Sequence, residues 1–218
     1  GAGGIIKAKD WRIWPQSLPQ FDQIMITLDP ALKDNDDGSY WACGVWGMFT
    51  PAACWDAAQG QPPEDLPDTQ AIMLIASWRQ RSGYFEAKNK LKKTIDEWTI
   101  EGEAPRYIVI EETVAGALLV EEMTRAGVHG ICPWLPSKSK RERAEIASSL
   151  WHFGLVWVPG KKLGDGKRSS LAPTEWAQPV LDECQAFPHG ETDDLLDIST
   201  MAALFARQCG QVTLEDDW

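Results

Sequence analysis

Residues 23–30, QIMITLDP, alternate strictly: Ile24, Ile26 and Leu28 fall on one face, Met25, Thr27 and Asp29 on the other, and Pro30 ends the run. This period of two predicts a β-strand with Asp29 at its carboxyl end. The turn signal Asp37-Gly38 precedes a second extended run, Tyr40 to Phe49. A polar, proline-rich stretch at 57–70 leads to a third, AIMLIASWRQR, at 71–81. Hairpin-scale and loop connections between these runs predict an antiparallel start to a sheet. From Tyr84 the period becomes helical, with Tyr84, Ala87, Leu91, Ile95 and Trp98 on one face. Strand and helix then alternate: a strand in RYIVIEE (106–112), a helix over 114–127, a strand in VHGICPW (128–134), a helix over 141–154 and a strand in LVWVP (155–159). Such alternation predicts parallel strands joined by right-handed crossovers, with further helices after them. The expected fold is therefore α/β: a ribonuclease H-like mixed sheet, antiparallel hairpin strands followed by parallel strands, flanked by helices.

Acidic residues fall at three informative points in this scheme. Asp29 ends the first strand, Glu111 and Glu112 end the fourth, and Asp193, Asp194 and Asp197 open a late helix in FPHGETDDLLDIST (187–200). Strands one and four can be neighbours in a mixed sheet, which would bring their ends together. At about 100° per residue, Ile198, Met201 and Phe205 fall within about 40° of Asp194, whereas Asp193 and Asp197 lie about 100° and 60° to one side. Asp194 is thus expected to face inward. Acids in a first helical turn favour the macrodipole, and Thr192 is a good N-cap, so TDDLLD alone reads as capping. The constellation favours a different reading. Carboxylates gathered at the edge of a core repel one another and lose their charge unless a cation joins them. Mg²⁺ or Mn²⁺ prefers such oxygen ligands, and two ions about 3.5 to 4 Å apart would serve phosphodiester hydrolysis.

Composition narrows the partners. A net charge of -11 argues against strong general affinity for nucleic acid. The charge is uneven, however: Arg79 to Lys93 holds six basic residues against one acid, and Lys138 to Arg168 eight against three. Either stretch alone reads as a solvated face; in a nuclease, Lys88, Lys92, Lys138, Lys140, Arg141, Arg143, Lys161, Lys162, Lys167 and Arg168 would hold backbone phosphates. Twelve tryptophans are many for 218 residues, and core packing is expected of most, including Trp55 and Trp176 near loops. Five cysteines without a C-x-x-C pair indicate reduced thiols and no zinc site. No apolar run is long enough to span a membrane. Gly-Ala-Gly-Gly at 1–4 is set aside as a cloning remnant, leaving one domain over 5–218.

The order and spacing of these segments resemble the nuclease domain of bacteriophage large terminase subunits, the DNA-packaging motors of tailed phages. IMITLDPALKDNDDGSYWACGVWG is similar to the family's first strand and hairpin, and YIVIEETVAGALLVEEM to its second acidic strand and glycine-containing helix. FPHGETDDLLDISTMAAL is similar to the closing motif F-P-x-G-x-H-D-D-x-x-D-A, with Thr192 and Ile198 in place of His and Ala. The resemblance implies a metal-dependent endonuclease that cuts double-stranded, concatemeric phage DNA with little sequence preference. Asp29, Glu111 and Asp194 would bind two Mg²⁺ or Mn²⁺ ions, supported by Asp193, Asp197 and Glu112. A junction resolvase, an RNA–DNA hybrid nuclease or a catalytically silent docking module on the same fold stands as the alternative. The implied partners of the full-length protein are an ATPase domain, a small terminase subunit and a portal, in the cytoplasm of an infected bacterium. The G-x-x-x-x-G-K pattern of such an ATPase is missing here, since Lys161 stands five before Gly166.

Overall fold

A computed structural model describes residues 4–30, 40–164 and 169–214. The turn signal Asp37-Gly38 and the basic residues Lys167 and Arg168 lie outside the described residues. Eight strands form one mixed sheet: β1 (Arg12–Trp14), β2 (Gln23–Asp29), β3 (Trp41–Phe49), β4 (Ala71–Gln80), β5 (Tyr107–Glu111), β6 (Ile131–Trp134), β7 (Val156–Leu163) and β8 (Ser170–Pro173). Their spatial order is β1-β7-β4-β3-β2-β5-β6, with β8 paired to β7. The expected antiparallel start is present, because β2 pairs with β3 and β3 with β4 in that sense. The later strands are parallel: β5 adds to β2, β6 to β5 and β7 to β4. The first and fourth predicted strands are therefore neighbours, with Leu28 opposite Ile110. Strands β1 and β8, three and four residues long, are too short to leave a periodic signal.

Six α-helices connect or cover these strands: α1 (Pro51–Cys54), α2 (Tyr84–Glu97), α3 (Val114–Arg125), α4 (Lys140–His152), α5 (Gln178–Ala186) and α6 (Asp194–Gln208). Among the described residues no helix is long and apolar enough to cross a membrane. Every residue of β3 is buried, as expected of a central strand covered on both faces. The tryptophans do build core on one side of the sheet. Trp14 stands edge-on to Phe49, Trp55 and Trp157, and Trp11 packs with Trp46 and Trp151. Trp176 is partly buried against the same core. All five cysteines are free thiols, and burial pushes those of Cys43 and Cys184 upward, which keeps them un-ionised.

Helix α6 is the element that carries the closing acidic motif to the sheet. Thr27 Oγ1, on β2, donates to the Ile198 carbonyl at 3.0 Å and accepts from Trp46 Nε1 at 3.0 Å. This chain of hydrogen bonds ties the helix to β2 and β3. Close approach requires a glycine opposite: a Cβ on Gly44 would lie 2.7 Å from Trp46 Nε1 and 3.2 Å from both Ile198 Cδ1 and Thr27 Oγ1. The helix is also flanked by α4 and α5, so it is buried from Leu195 through Ala203 without interruption.

Candidate active site

Asp29 and Glu111 end adjacent parallel strands, and their side chains open into the same cleft of about 480 Å³. The end of β5 is held in place by α3, whose first turn presses against it. Thr113 caps that helix by accepting from Gly116 N at 3.0 Å, and a Cβ on Gly116 would lie 2.0 Å from the Glu111 carbonyl oxygen. Glycine is thus the residue that lets the helix approach the acidic strand end. Glu112 is exposed and lies outside the cleft lining.

The acids of α6 are not its caps. The residue preceding the helix, Asp193, makes no side-chain cap bond. The work is done from α5 by Glu183, only 8% exposed, whose Oε1 accepts from Leu195 N at 2.6 Å and Leu196 N at 3.4 Å. Its Oε2 accepts from Thr192 Oγ1 at 2.7 Å and Arg79 Nη1 at 2.6 Å. Thr192, expected as the N-cap, is therefore spent on Glu183, and the exposed His189 lies outside the cleft. Glu183 and Arg79 went unnoticed in the sequence because a helix capped by another helix leaves no local signature. Capped in this way, α6 leaves Asp193, Asp194 and Asp197 free to face the cleft, which all three line.

The expected orientation of these acids needs one correction. Asp197 is the buried member at 5% exposure, whereas Asp194 is half-buried. A stripe calculation assumes that a helix buries one face; α6 is enclosed by the sheet, α4 and α5, so a position 60° off the sheet-facing stripe is buried as well.

Electrostatics records how closely the acids converge. Burial raises the Asp29 carboxyl well above the usual carboxylate range, and Asp197, Glu111 and Asp194 raise it further, with Lys140 partly opposing them. Among the described residues no cation forms a salt bridge with Asp29. Asp197 is pushed up to about 6, chiefly by burial, although Lys140 and Arg143 pull against it. Burial likewise raises Asp194, helped by Glu183 and Asp193.

The basic residues divide. Lys140 and Arg143 reach the cleft but are paired there: Lys140 Nζ lies 2.7 Å from Asp193 Oδ1 and 2.6 Å from Asp197 Oδ2, and Arg143 Nη2 lies 3.3 Å from Asp197 Oδ1. Lys88 bridges instead to Glu122 on α3, beside Tyr84, and Arg141 pairs with Glu145 one turn along its own helix. Lys92, Lys138, Lys161 and Lys162 are exposed and outside the cleft lining. A further cation emerges on the rim: Arg81 stacks at 4.5 Å on the Tyr40 ring, which Arg79 also stacks against at 4.6 Å, and both Tyr40 and Arg81 line the cleft.

The donor set fits a hard divalent ion, being carboxylate oxygens from three elements around an acid, Asp29, that lacks a salt-bridge partner among the described residues. With the side chains as placed, no three His, Cys, Asp or Glu residues among those described are grouped closely enough to hold an ion. The reason is visible in the ion pairs: Lys140 and Arg143 engage both oxygens of Asp197, and Lys140 also engages Asp193.

No family model matches the sequence, and no curated protein matches it either. The fold itself recurs in solved structures. A full-length large terminase from a thermophilic bacteriophage aligns with a TM-score of 0.62 at 9% identity, over 93% of this chain and 45% of that one. The large terminase nuclease from thermophilic phage G20c with bound zinc aligns with a TM-score of 0.51 at 17% identity, over 92% of this chain and 95% of that one. The same nuclease with bound cobalt gives 0.50 at 13% identity, over 94% and 98%. The chain thus has the fold of a large terminase nuclease, and it spans less than half the length of the first of these terminases.

Proposed function

We propose that this domain is a metal-dependent endonuclease that hydrolyses phosphodiester bonds of double-stranded DNA with little sequence preference, and that it cuts concatemeric phage DNA during genome packaging. The observation that carries the reading is the convergence of Asp29, Glu111, Asp194 and Asp197, from two strand ends and one helix, on a single cleft. The fold shared with large terminase nucleases, one of them solved with zinc and with cobalt, supports the nuclease role and divalent binding. Asp29, Glu111 and Asp194 are the ligands for Mg²⁺ or Mn²⁺, two ions in all, with Asp193 and Asp197 beside them. Bound there, such ions supply activation of the attacking water and charge stabilisation of the leaving oxygen.

The chain's own groups do the rest. Arg81, braced on Tyr40, offers a guanidinium to a backbone phosphate at the rim, and Lys138 and Lys92 add exposed charge outside the cleft. With six acids against three bases lining the cleft, the domain alone binds DNA weakly. In the full-length protein an ATPase domain, a small terminase subunit and a portal are the partners that deliver DNA, in the cytoplasm of the infected host.

A plasmid-nicking assay with Mn²⁺ tests the assignment. The parent domain converts supercoiled plasmid to open-circular and linear forms, and Asp29→Asn and Asp194→Asn do not. Equal cutting by either variant would remove that residue from the catalytic set. Selective cleavage of a four-way junction or an RNA–DNA hybrid over linear duplex would replace the substrate.

A further inference from the structure

How the chain neutralises its own acids bears on how a metal ion is admitted, given the metal-dependent reading above. Helix α4 starts at the cleft because a capping box fixes its first turn: Glu142 N donates to Ser139 Oγ at 3.3 Å, and Ser139 N donates to Glu142 Oε2 at 3.0 Å. That turn carries Lys140 and Arg143, cations at the helix end where the macrodipole disfavours them. Their compensation comes from α6. The Lys140 ammonium bridges Asp193 and Asp197, within 2.7 Å of each, and its side chain is two-thirds shielded from solvent. Arg143 is fixed independently, since its Nη1 donates to the Lys138 carbonyl at 3.1 Å while Nη2 holds the second oxygen of Asp197. The groups facing Lys140 across the cleft are Asp29, Glu111, Glu191 and Asp194 on the acidic side and Arg81 on the basic side.

We propose that Lys140 is a tethered counter-ion that competes with the divalent metal for Asp193 and Asp197, so that metal binding requires its ammonium to be displaced from the acid cluster. A monovalent cation on a flexible four-carbon stem suits this role, because it can let go of the carboxylates without unfolding the helix that bears it. Displaced, it stays at the mouth of the same cleft, where the substrate phosphate is the remaining anion. The role differs from that of Arg143, whose second anchor to a backbone carbonyl holds it in place.

Calorimetric titration with Mn²⁺ of the domain and of Lys140→Met, Lys140→Gln and Lys140→Arg tests the competition without relying on cleavage. The two neutral variants should bind Mn²⁺ about tenfold more tightly than the parent, about 1.4 kcal/mol, while Lys140→Arg stays near the parent value. Neutral variants that bind no tighter, or more weakly, overturn the role of Lys140 and leave the metal-dependent reading standing. Absence of Mn²⁺ binding at millimolar concentration in parent and variants alike overturns both. Binding by the neutral variants alone upholds the competition in its strongest form. Should a variant fail to fold, NMR of ¹³C-labelled lysine in the unmutated domain reads the same event. The Lys140 Cε resonance, assigned with Lys140→Arg, should move as diamagnetic Mg²⁺ saturates the site, and a resonance that stays fixed refutes the displacement.

Discussion

Truncating Glu183 to alanine removes the group on which the entry of α6 into the site depends. The side chain satisfies two backbone N–H groups of the helix, the Thr192 hydroxyl and one N–H of Arg79, all from a position 8% exposed. Losing one partner of a buried ion pair costs about 3–5 kcal/mol, but the Arg79 side chain is 27% exposed and can be partly rescued by water, which brings that loss down to about 2 kcal/mol. Losing the helix cap adds about 1 kcal/mol. A total near 3 kcal/mol lowers the midpoint of thermal unfolding by roughly 6–12 °C for a domain of this size. Glu183→Gln keeps an oxygen for Leu195 N and forfeits only the charge, so it should fall between the parent and the alanine variant. Glu145→Ala, which deletes an exposed pair with Arg141, is the control and should stay within about 0.5 kcal/mol of the parent. Urea unfolding followed by circular dichroism measures all three. A Glu183→Ala loss below about 1 kcal/mol, or a glutamine variant as unstable as the alanine one, would rule out capping from α5.

Gly116→Ala forces a Cβ to within 2.0 Å of the Glu111 carbonyl oxygen, so it should destabilise the domain by about 1–3 kcal/mol and lower Mn²⁺ affinity, whereas Gly127→Ala, at positive φ with open space around it, should spare metal binding. Differential scanning calorimetry with and without Mn²⁺ separates the two effects. Stability of the metal-free domain should also depend on pH in a definite sense. Asp29 and Asp197 have folded-state pKa values above those of an unfolded chain, Asp197 about 6, so the folded form takes up protons more readily. Their ionisation penalty is full above about pH 6 and is relieved as pH falls toward the ordinary carboxylate value. The metal-free melting temperature should therefore rise from pH 7 to pH 5, and Asp29→Asn should raise it at pH 7 and flatten the slope; a slope of opposite sign in the parent domain contradicts this.

Much of this arrangement was legible in the sequence because its signals are local and periodic. The alternation through Ile24 to Leu28 and the run Tyr107 to Glu111 located two strand ends, and the parallel pairing of β2 with β5 placed Asp29 beside Glu111 as expected. What escaped notice depends on contacts between elements distant along the chain. Glu183 lies 12 residues from the helix it caps, and the burial of Asp197 follows from α4 and α5 packing around α6, which no single-helix stripe contains. Lys140 and Arg143 read as phosphate-binding charge because sequence shows a basic cluster but not its partners. Only the packing of α4 on α6 converts them into counter-ions of Asp193 and Asp197.

Whether Asp29, Glu111 and Asp194 act together as one divalent-metal site is read most directly by anomalous diffraction from a crystal soaked in Mn²⁺. Manganese peaks are expected in the cleft bounded by these three carboxylates, with the Lys140 ammonium moved off Asp197, and the peaks should be lost in Asp29→Asn. A manganese-saturated crystal with no peak in that cleft, or with peaks unchanged by Asp29→Asn, would mean that the three carboxylates are not a metal site.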